Sequence, residues 1–202
     1  MMKLALGSFM LSMVFSLSLY AAAENTLTDS ATETVFPREI TFRSGGKDYR
    51  LQATGVSTRK KMVFKLYGVA HYLQDASSAK GDKFQAVLDP SKAKQLTLKW
   101  VRDVPAEKIQ SAYHESVADA LSEAESTQLK PQIDQYIGFF SEGVKKGDEQ
   151  VIRWTPGGHI EVIVNGKSVG DITNEAFAKG LWTIWFGNHS VVKRDALVSE
   201  MK

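Results

Sequence analysis

The chain has no cysteine in its 202 residues. That excludes disulfides, Cys-ligated zinc, iron–sulfur clusters, a Cys nucleophile and a lipidated Cys. It also has almost no excess charge: 25 Lys and Arg stand against 23 Asp and Glu, a formal net charge of +2. Despite a sequence pI near 8.7 there is no basic footprint for nucleic acid, and none is expected as a partner. No G-x-x-x-x-G-K-[ST], G-x-G-x-x-G or G-x-S-x-G run occurs, so nucleotide sites and nucleophile elbows have no support and no cofactor is expected. The four histidines, His71, His114, His159 and His189, lack ligand-like spacing, and no metal site is expected. Asp119 and Glu123 stand at helical i, i+4 spacing and read as a solvated face.

What remains is a globular composition, 43% hydrophobic and 24% charged, in a length that suits one domain with a real core. A basic start at Lys3 precedes an uncharged run, Leu4 through Tyr20, that ends in Ala21-Ala22-Ala23. Small residues at −1 and −3 of the Ala23/Glu24 junction mark residues 1–23 as a secretory signal peptide. The competing reading is a signal anchor or transmembrane helix; the run is a little short of the roughly 20 residues that span a bilayer, and four serines dilute it. Cleavage leaves a chain secreted across the inner membrane, with the bacterial periplasm the expected place, although a eukaryotic secretory route reads the same. On this view membrane contact is confined to an uncleaved signal segment. Residues 24–35, rich in Thr and Ser without periodicity, read as a flexible polar lead-in.

From Phe36 the pattern has period 2. Phe36–Arg43 and Asp48–Ala53 flank Ser44-Gly45-Gly46-Lys47 as a β-hairpin, and Met62–Leu73 is a long strand in which Gly68 marks a bulge or a close backbone approach. Leu96, Leu98 and Trp100 alternate in a further strand. After Pro105 the period becomes 3.6, with Ile109, Tyr113, Val117 and Leu121 at steps of four. A second helix is expected from about Pro131, carrying Ile133, Tyr136, Ile137, Phe140 and Val144 and stopping at Gly147. Strands then return: Val151–Thr155, His159–Val164 and Lys167–Ile172, the last two joined by Asn165-Gly166. Asn174 caps a helix through Trp185 that ends at Gly187, and Ser190 is expected to cap a short final helix. Hairpins and helices in separate runs, without βαβ alternation, predict an α+β fold: an antiparallel sheet with helices packed on one side.

One segment combines charge and apolar surface: Arg59-Lys60-Lys61 runs directly into Met62-Val63-Phe64 and the strand that holds Tyr67. Arg59 either offers its planar fork to a carboxylate or enolate at the mouth of an apolar cleft, or stands solvated with its basic neighbours. Trp182, Trp185 and Phe186 read as core residues, or as a docking patch if exposed.

Gly55-Val-x-x-Arg59-x-Lys61-x-x-Phe64-Lys-Leu-Tyr67, followed by Tyr72-Leu73, resembles the chalcone isomerase-like proteins. So do Leu96–Asp103, Pro105–Ile109, Val164-Asn-Gly-Lys-x-x-Gly170 and the Phe177–Gly187 run, in the same order. The resemblance implies a chalcone isomerase-like domain over residues 36–202, an open-faced β-sandwich in which a large antiparallel sheet carries helices on one face. In the plant enzymes the reaction is a cofactor-free intramolecular cyclisation of a chalcone, in which an Arg steadies phenolate and enolate. That Arg matches Arg59. The family's Thr falls on Tyr67, its Tyr and Asn near Pro105 and Ala112, and its C-terminal Ser/Thr near Ile184, with Thr183 adjacent. Losing these donors, each worth a few kcal/mol in a transition state, argues against efficient chalcone-to-flavanone cyclisation. The resemblance therefore implies a non-catalytic binder of a small apolar acid such as a fatty acid, with Arg59, Tyr67, Ala112, Thr183 and Ile184 as ligand-binding candidates. The alternatives are an isomerase of the intramolecular lyase type acting through Arg59 and Tyr67 on an unsaturated carbonyl, or a structural or protein-interaction module.

Overall fold

The structure, a computed structural model, describes residues 25–78 and 81–202. The expected signal segment lies outside the described residues, among which no helix is long and apolar enough to cross a membrane. A small hairpin, β1 (Thr26–Asp29) and β2 (Thr34–Pro37), opens the chain. Seven strands then form one antiparallel meander in sequence order: β3 (Glu39–Ser44), β4 (Lys47–Lys61), β5 (Phe64–Leu73), β6 (Lys94–Trp100), β7 (Glu149–Thr155), β8 (His159–Val164) and β9 (Lys167–Thr173). Gly45-Gly46 and Asn165-Gly166 make two of the turns, all four residues having the positive φ that mirror-image hairpin turns require.

The helices are α1 (Lys83–Leu88) between β5 and β6, then α2 (Ala106–Ala120), α3 (Glu123–Gln128) and α4 (Lys130–Gly138) between β6 and β7, and α5 (Glu175–Phe186) after β9. Pro105, expected in the first helical turn, is instead the extended N-cap just before α2, whereas the Asn174 side chain accepts from the Phe177 N–H to cap α5, as expected. Alternation sends Val69, Leu96, Leu98, Ile152, Trp154, Ile160 and Val162 to one face of the sheet, where they bury against α2, α4 and α5. Trp182, Trp185 and Phe186 are all buried in that layer, which removes them as a docking patch.

Residues 24–35, expected as a flexible lead-in, instead include most of the β1–β2 hairpin, which covers the other face of the sheet. Phe36 is fully buried with Tyr49, Leu51, Ala70 and Tyr72, and the Tyr72 hydroxyl donates to the Pro37 carbonyl (3.0 Å). Polar groups fix the rest of the hairpin. The buried Asp29 carboxylate accepts from the hydroxyls of Thr32 and Thr58 (2.6 Å to the nearer oxygen from Thr58), and Lys99 Nζ donates to the Val35 carbonyl (2.8 Å). Gly68 is the point of close approach: a methyl group there would overlap the hydroxyl oxygens of Thr34 and Thr32.

Two further expectations are corrected. The helix expected to run to Gly147 ends at Gly138, because Val144 returns to pair its backbone with Val104 (2.9 Å in both directions), and only glycine at 143 lets the chain pass the Val104 carbonyl. Ser190 caps no helix; the last element is a 3-10 turn, Arg194–Val198, while the Ser190 hydroxyl lies against the carbonyls of Trp185 and Val192.

That 3-10 turn docks on a bulge in β4. Ala53 faces Tyr72 and Gly55 faces His71, so Thr54 is the extra residue. Its hydroxyl donates to the Leu197 carbonyl (2.6 Å) and therefore accepts from His71 Nδ1–H (2.6 Å); His71 Nε2 accepts from Trp182 Nε1–H (3.4 Å). His71 is thus a neutral ring with both nitrogens engaged, and burial holds its pKa well below the ordinary 6.5.

Two outcomes follow. Gly68→Ala should displace the hairpin and cost about 1–3 kcal/mol, read from urea denaturation. For His71 the unfolded chain takes up a proton near pH 6.5 while the folded one does not. Stability is therefore intact above pH 6.5 and falls below it, by up to about 1.4 kcal/mol per pH unit. The urea midpoint should drop more between pH 7.5 and 5.5 in the wild type than in His71→Gln.

Candidate functional site

A cavity of about 630 Å³ opens between the end of the sheet and α2, within the range of roughly 300–1,000 Å³ typical of small-molecule sites. The strand wall comes from β4 and β5. Arg59 pairs with Tyr67 and Lys60 with Lys65, so Leu66 is an unpaired extra residue. The bulge brings both Leu66 and Tyr67 to the cavity, where strict alternation would separate them. Trp100 of β6 sets its ring edge against Tyr67, with centroids 5.0 Å apart. The opposite wall is one face of α2: Ile109, Ala112, Tyr113 and Ser116, with Ile184 and Trp185 of α5. Ala112 and Ser116 are the small residues on that face, and they leave the space that a Leu at either position would fill.

Arg59 is half-buried in the cavity wall. One of its nitrogens donates to the Val191 carbonyl (2.8 Å), and among the described residues no carboxylate lies within ion-pairing distance of it. A guanidinium has five N–H donors, so most of the fork remains available to a guest. Tyr67 is buried, and its hydroxyl accepts from Trp185 Nε1–H (3.3 Å), which leaves its own proton to give. Burial pushes this phenol's pKa well up, reinforced by nearby Tyr113 and only partly opposed by Arg59. Tyr67 is therefore a neutral donor, not a base. Tyr113, also raised by burial, accepts from Gln150 Nε2 (3.0 Å).

The rim is charged. Lys61 reaches from β4 to Glu115 of α2 (2.8 Å), and this hydrogen bond holds the Glu115 carboxyl below its usual range. The Asp103 carboxylate accepts from the Lys146 backbone (2.8 Å). No imidazole lines the cavity, and among the described residues no cluster of His, Asp and Glu is arranged to hold a metal ion.

Of the residues singled out in the sequence, Arg59, Tyr67, Ala112 and Ile184 line this one cavity. Thr183 does not. It donates to the Gly180 carbonyl and borders a separate, more polar hollow with Phe84, Asp119 and Arg194. A step of one residue turns a helix by about 100°, so adjacent Thr183 and Ile184 serve different faces. Sequence reasoning missed Leu66, Trp100, Tyr113 and Trp185. The available signal was Ala112 and Ser116, small residues beside the bulky Ile109 and Tyr113 on one helix face.

The sequence profile of the chalcone isomerase-like proteins matches residues 30–197. The chain belongs to the chalcone isomerase-like family. No curated protein matches it. Among solved structures it is similar to a fatty-acid binding protein of Arabidopsis thaliana, AtFAP1, with a TM-score of 0.71 and 14% identity over 87% of this chain and 97% of the other. At that identity the likeness shows the fold: the open-faced sheet with helices on one side, as expected for this family.

Tyr67→Phe leaves the Trp185 N–H buried without an acceptor. It should cost about 1–3 kcal/mol of stability by thermal or urea denaturation, with the fold retained.

Proposed function

We propose that this chalcone isomerase-like protein binds a small apolar acid of the fatty-acid class in the Arg59 cavity and does not transform it. One observation carries the reading: a half-buried guanidinium with free donors and no carboxylate of its own opens onto mostly apolar walls beside the donor hydroxyl of Tyr67. An unpaired cation held at such a place is satisfied by an anionic guest, and a planar fork suits a carboxylate. The similarity to a plant fatty-acid binding protein supports the same ligand class. The apolar segment ending in Ala21-Ala22-Ala23 supports action after export, in the periplasm of a bacterium.

The isomerase reading draws on the same two donors, which would face an enolate oxygen. It has no ready base beside those donors: Tyr67 is held protonated, and the two rim carboxylates are each held by a partner, Glu115 by Lys61 and Asp103 by the Lys146 N–H. A panel of chalcones and enones should therefore show no Arg59-dependent turnover.

Native mass spectrometry of protein purified from cells should show a co-purifying acidic lipid. Arg59→Ala removes a charged hydrogen-bonding partner worth about 1.5–3 kcal/mol and should weaken fatty-acid binding at least tenfold. Equal lipid retention in wild type and Arg59→Ala would remove the basis of the proposal.

A further inference from the structure

The most exposed large apolar side chains among the described residues are consecutive. Met62 is 89% exposed, Val63 83% and Phe64 51%, at the two-residue turn joining β4 to β5. Met62 also has φ 55, a left-handed conformation that costs a non-glycine residue about 1–2 kcal/mol. Elsewhere the sheet meets this demand with Gly45-Gly46 and Asn165-Gly166. At the β4–β5 turn an unbranched apolar side chain is held in solvent against both local conformational preference and the hydrophobic effect.

Charge surrounds the turn. Lys60, Lys61 and Lys65 flank it in sequence, and the Arg102 guanidinium lies 4.4 Å from the Phe64 ring centroid. Lys108 stands across the cavity mouth. The acids nearby are Glu115, paired with Lys61, Asp103, bonded to the Lys146 N–H, and Glu33 of the β1–β2 turn. Cations outnumber them, and Lys60, Arg102 and Lys108 have no carboxylate partner among the described residues. A convex tip of three apolar residues is too small for a stable protein interface, which needs roughly 1,000 Å² or more. Its form, apolar residues framed by lysine and arginine, matches the headgroup zone of an anionic bilayer, where each cation near the surface adds about a fivefold preference.

We propose that the Met62-Val63-Phe64 turn docks this protein on an anionic lipid surface. The apolar side chains enter the headgroup region, and the neighbouring lysines and Arg102 meet lipid phosphates. Met62 and Phe64 also line the Arg59 cavity, so docking sets its mouth against the bilayer. An apolar acid then passes between bilayer and cavity with little exposure to water; that last step rests on the ligand reading above, and the docking does not.

The absence of cysteine makes a local test possible. Val63→Cys, outside the cavity lining, carries an environment-sensitive dye on the full chain; Lys47→Cys, at the far end of β4, is the control. Vesicles of phosphatidylglycerol and phosphatidylcholine should blue-shift the dye at 63 and not at 47. Lys60→Glu or 0.5 M salt should weaken that response about tenfold. A dye at 63 that stays water-like overturns the proposal, as does an equal response to pure phosphatidylcholine or at position 47. A change of oligomeric state through the turn without vesicles also overturns it, by assigning the surface to a second copy of the chain. Because the readout needs no fatty acid, its failure is distinguishable from failure of the ligand proposal.

Discussion

Alternation along β5 is interrupted at Leu66, and the cavity is built around that interruption. The residue has no partner on β4, and its carbonyl accepts from the Val101 N–H (3.0 Å). Beyond it, toward Leu73, the strand returns to a strict alternation that serves two cores, Val69 and Leu73 on the helix side, Ala70 and Tyr72 on the hairpin side. Before it, Lys65 reaches the Ala31 carbonyl on the hairpin side while Phe64 and Leu66 join the cavity wall. One inserted residue thus brings Leu66 and Tyr67 to one surface and carries the Arg59–Tyr67 pair to the edge of the void.

Two kinds of buried polar group can be set side by side in this protein. His71 is fully committed: each ring nitrogen has a partner, and the relay from Trp182 to the Leu197 carbonyl ties α5, β5, β4 and the C-terminal turn together. Lys94 is similarly sealed, its ammonium 3.9 Å above the Trp154 ring and donating to the Asp89 carbonyl, with burial drawing its pKa down to about 7. Neither lines the Arg59 cavity. Arg59 and Tyr67 differ because each keeps a donor without a protein acceptor and both face the same space. Burial alone does not mark a binding residue; spare hydrogen-bonding capacity facing a void does.

Much of this was legible in the sequence, where local chemistry decides local structure. Gly45-Gly46, Asn165-Gly166, Pro105 and Asn174 each have one physical solution that dominates, and the apolar steps of α2 and α5 match their buried faces. The β1–β2 hairpin was hidden because a carboxylate and hydroxyls hold much of it, and Asp29, Thr32 and Thr34 in sequence look like solvated loop. Only Gly68, three elements away, hinted that something lies against it. The short polar α3 was marked by Ser122 and Glu125, a capping box that the period-based reading passed over. The bulge at Leu66 was invisible because its residues alternate correctly on paper; the offset appears only when β4 is laid alongside.

On the proposed ligand reading, the place of Arg59 decides which way a guest lies. Arg59 is three residues from the exposed turn, with Lys60 and the Glu115-paired Lys61 between, and its guanidinium is anchored on the Val191 carbonyl in the cavity wall. The other cavity walls include Ile109, Tyr113, Ile184 and Trp185, all nearly fully buried and offering little to a charge. An acid bound with its carboxylate away from Arg59 would bury that charge among these apolar walls, which costs several kcal/mol beyond what neutral phenols return. On that reading, a head group at Arg59 with its tail along the apolar walls leaves neither charge unpaired.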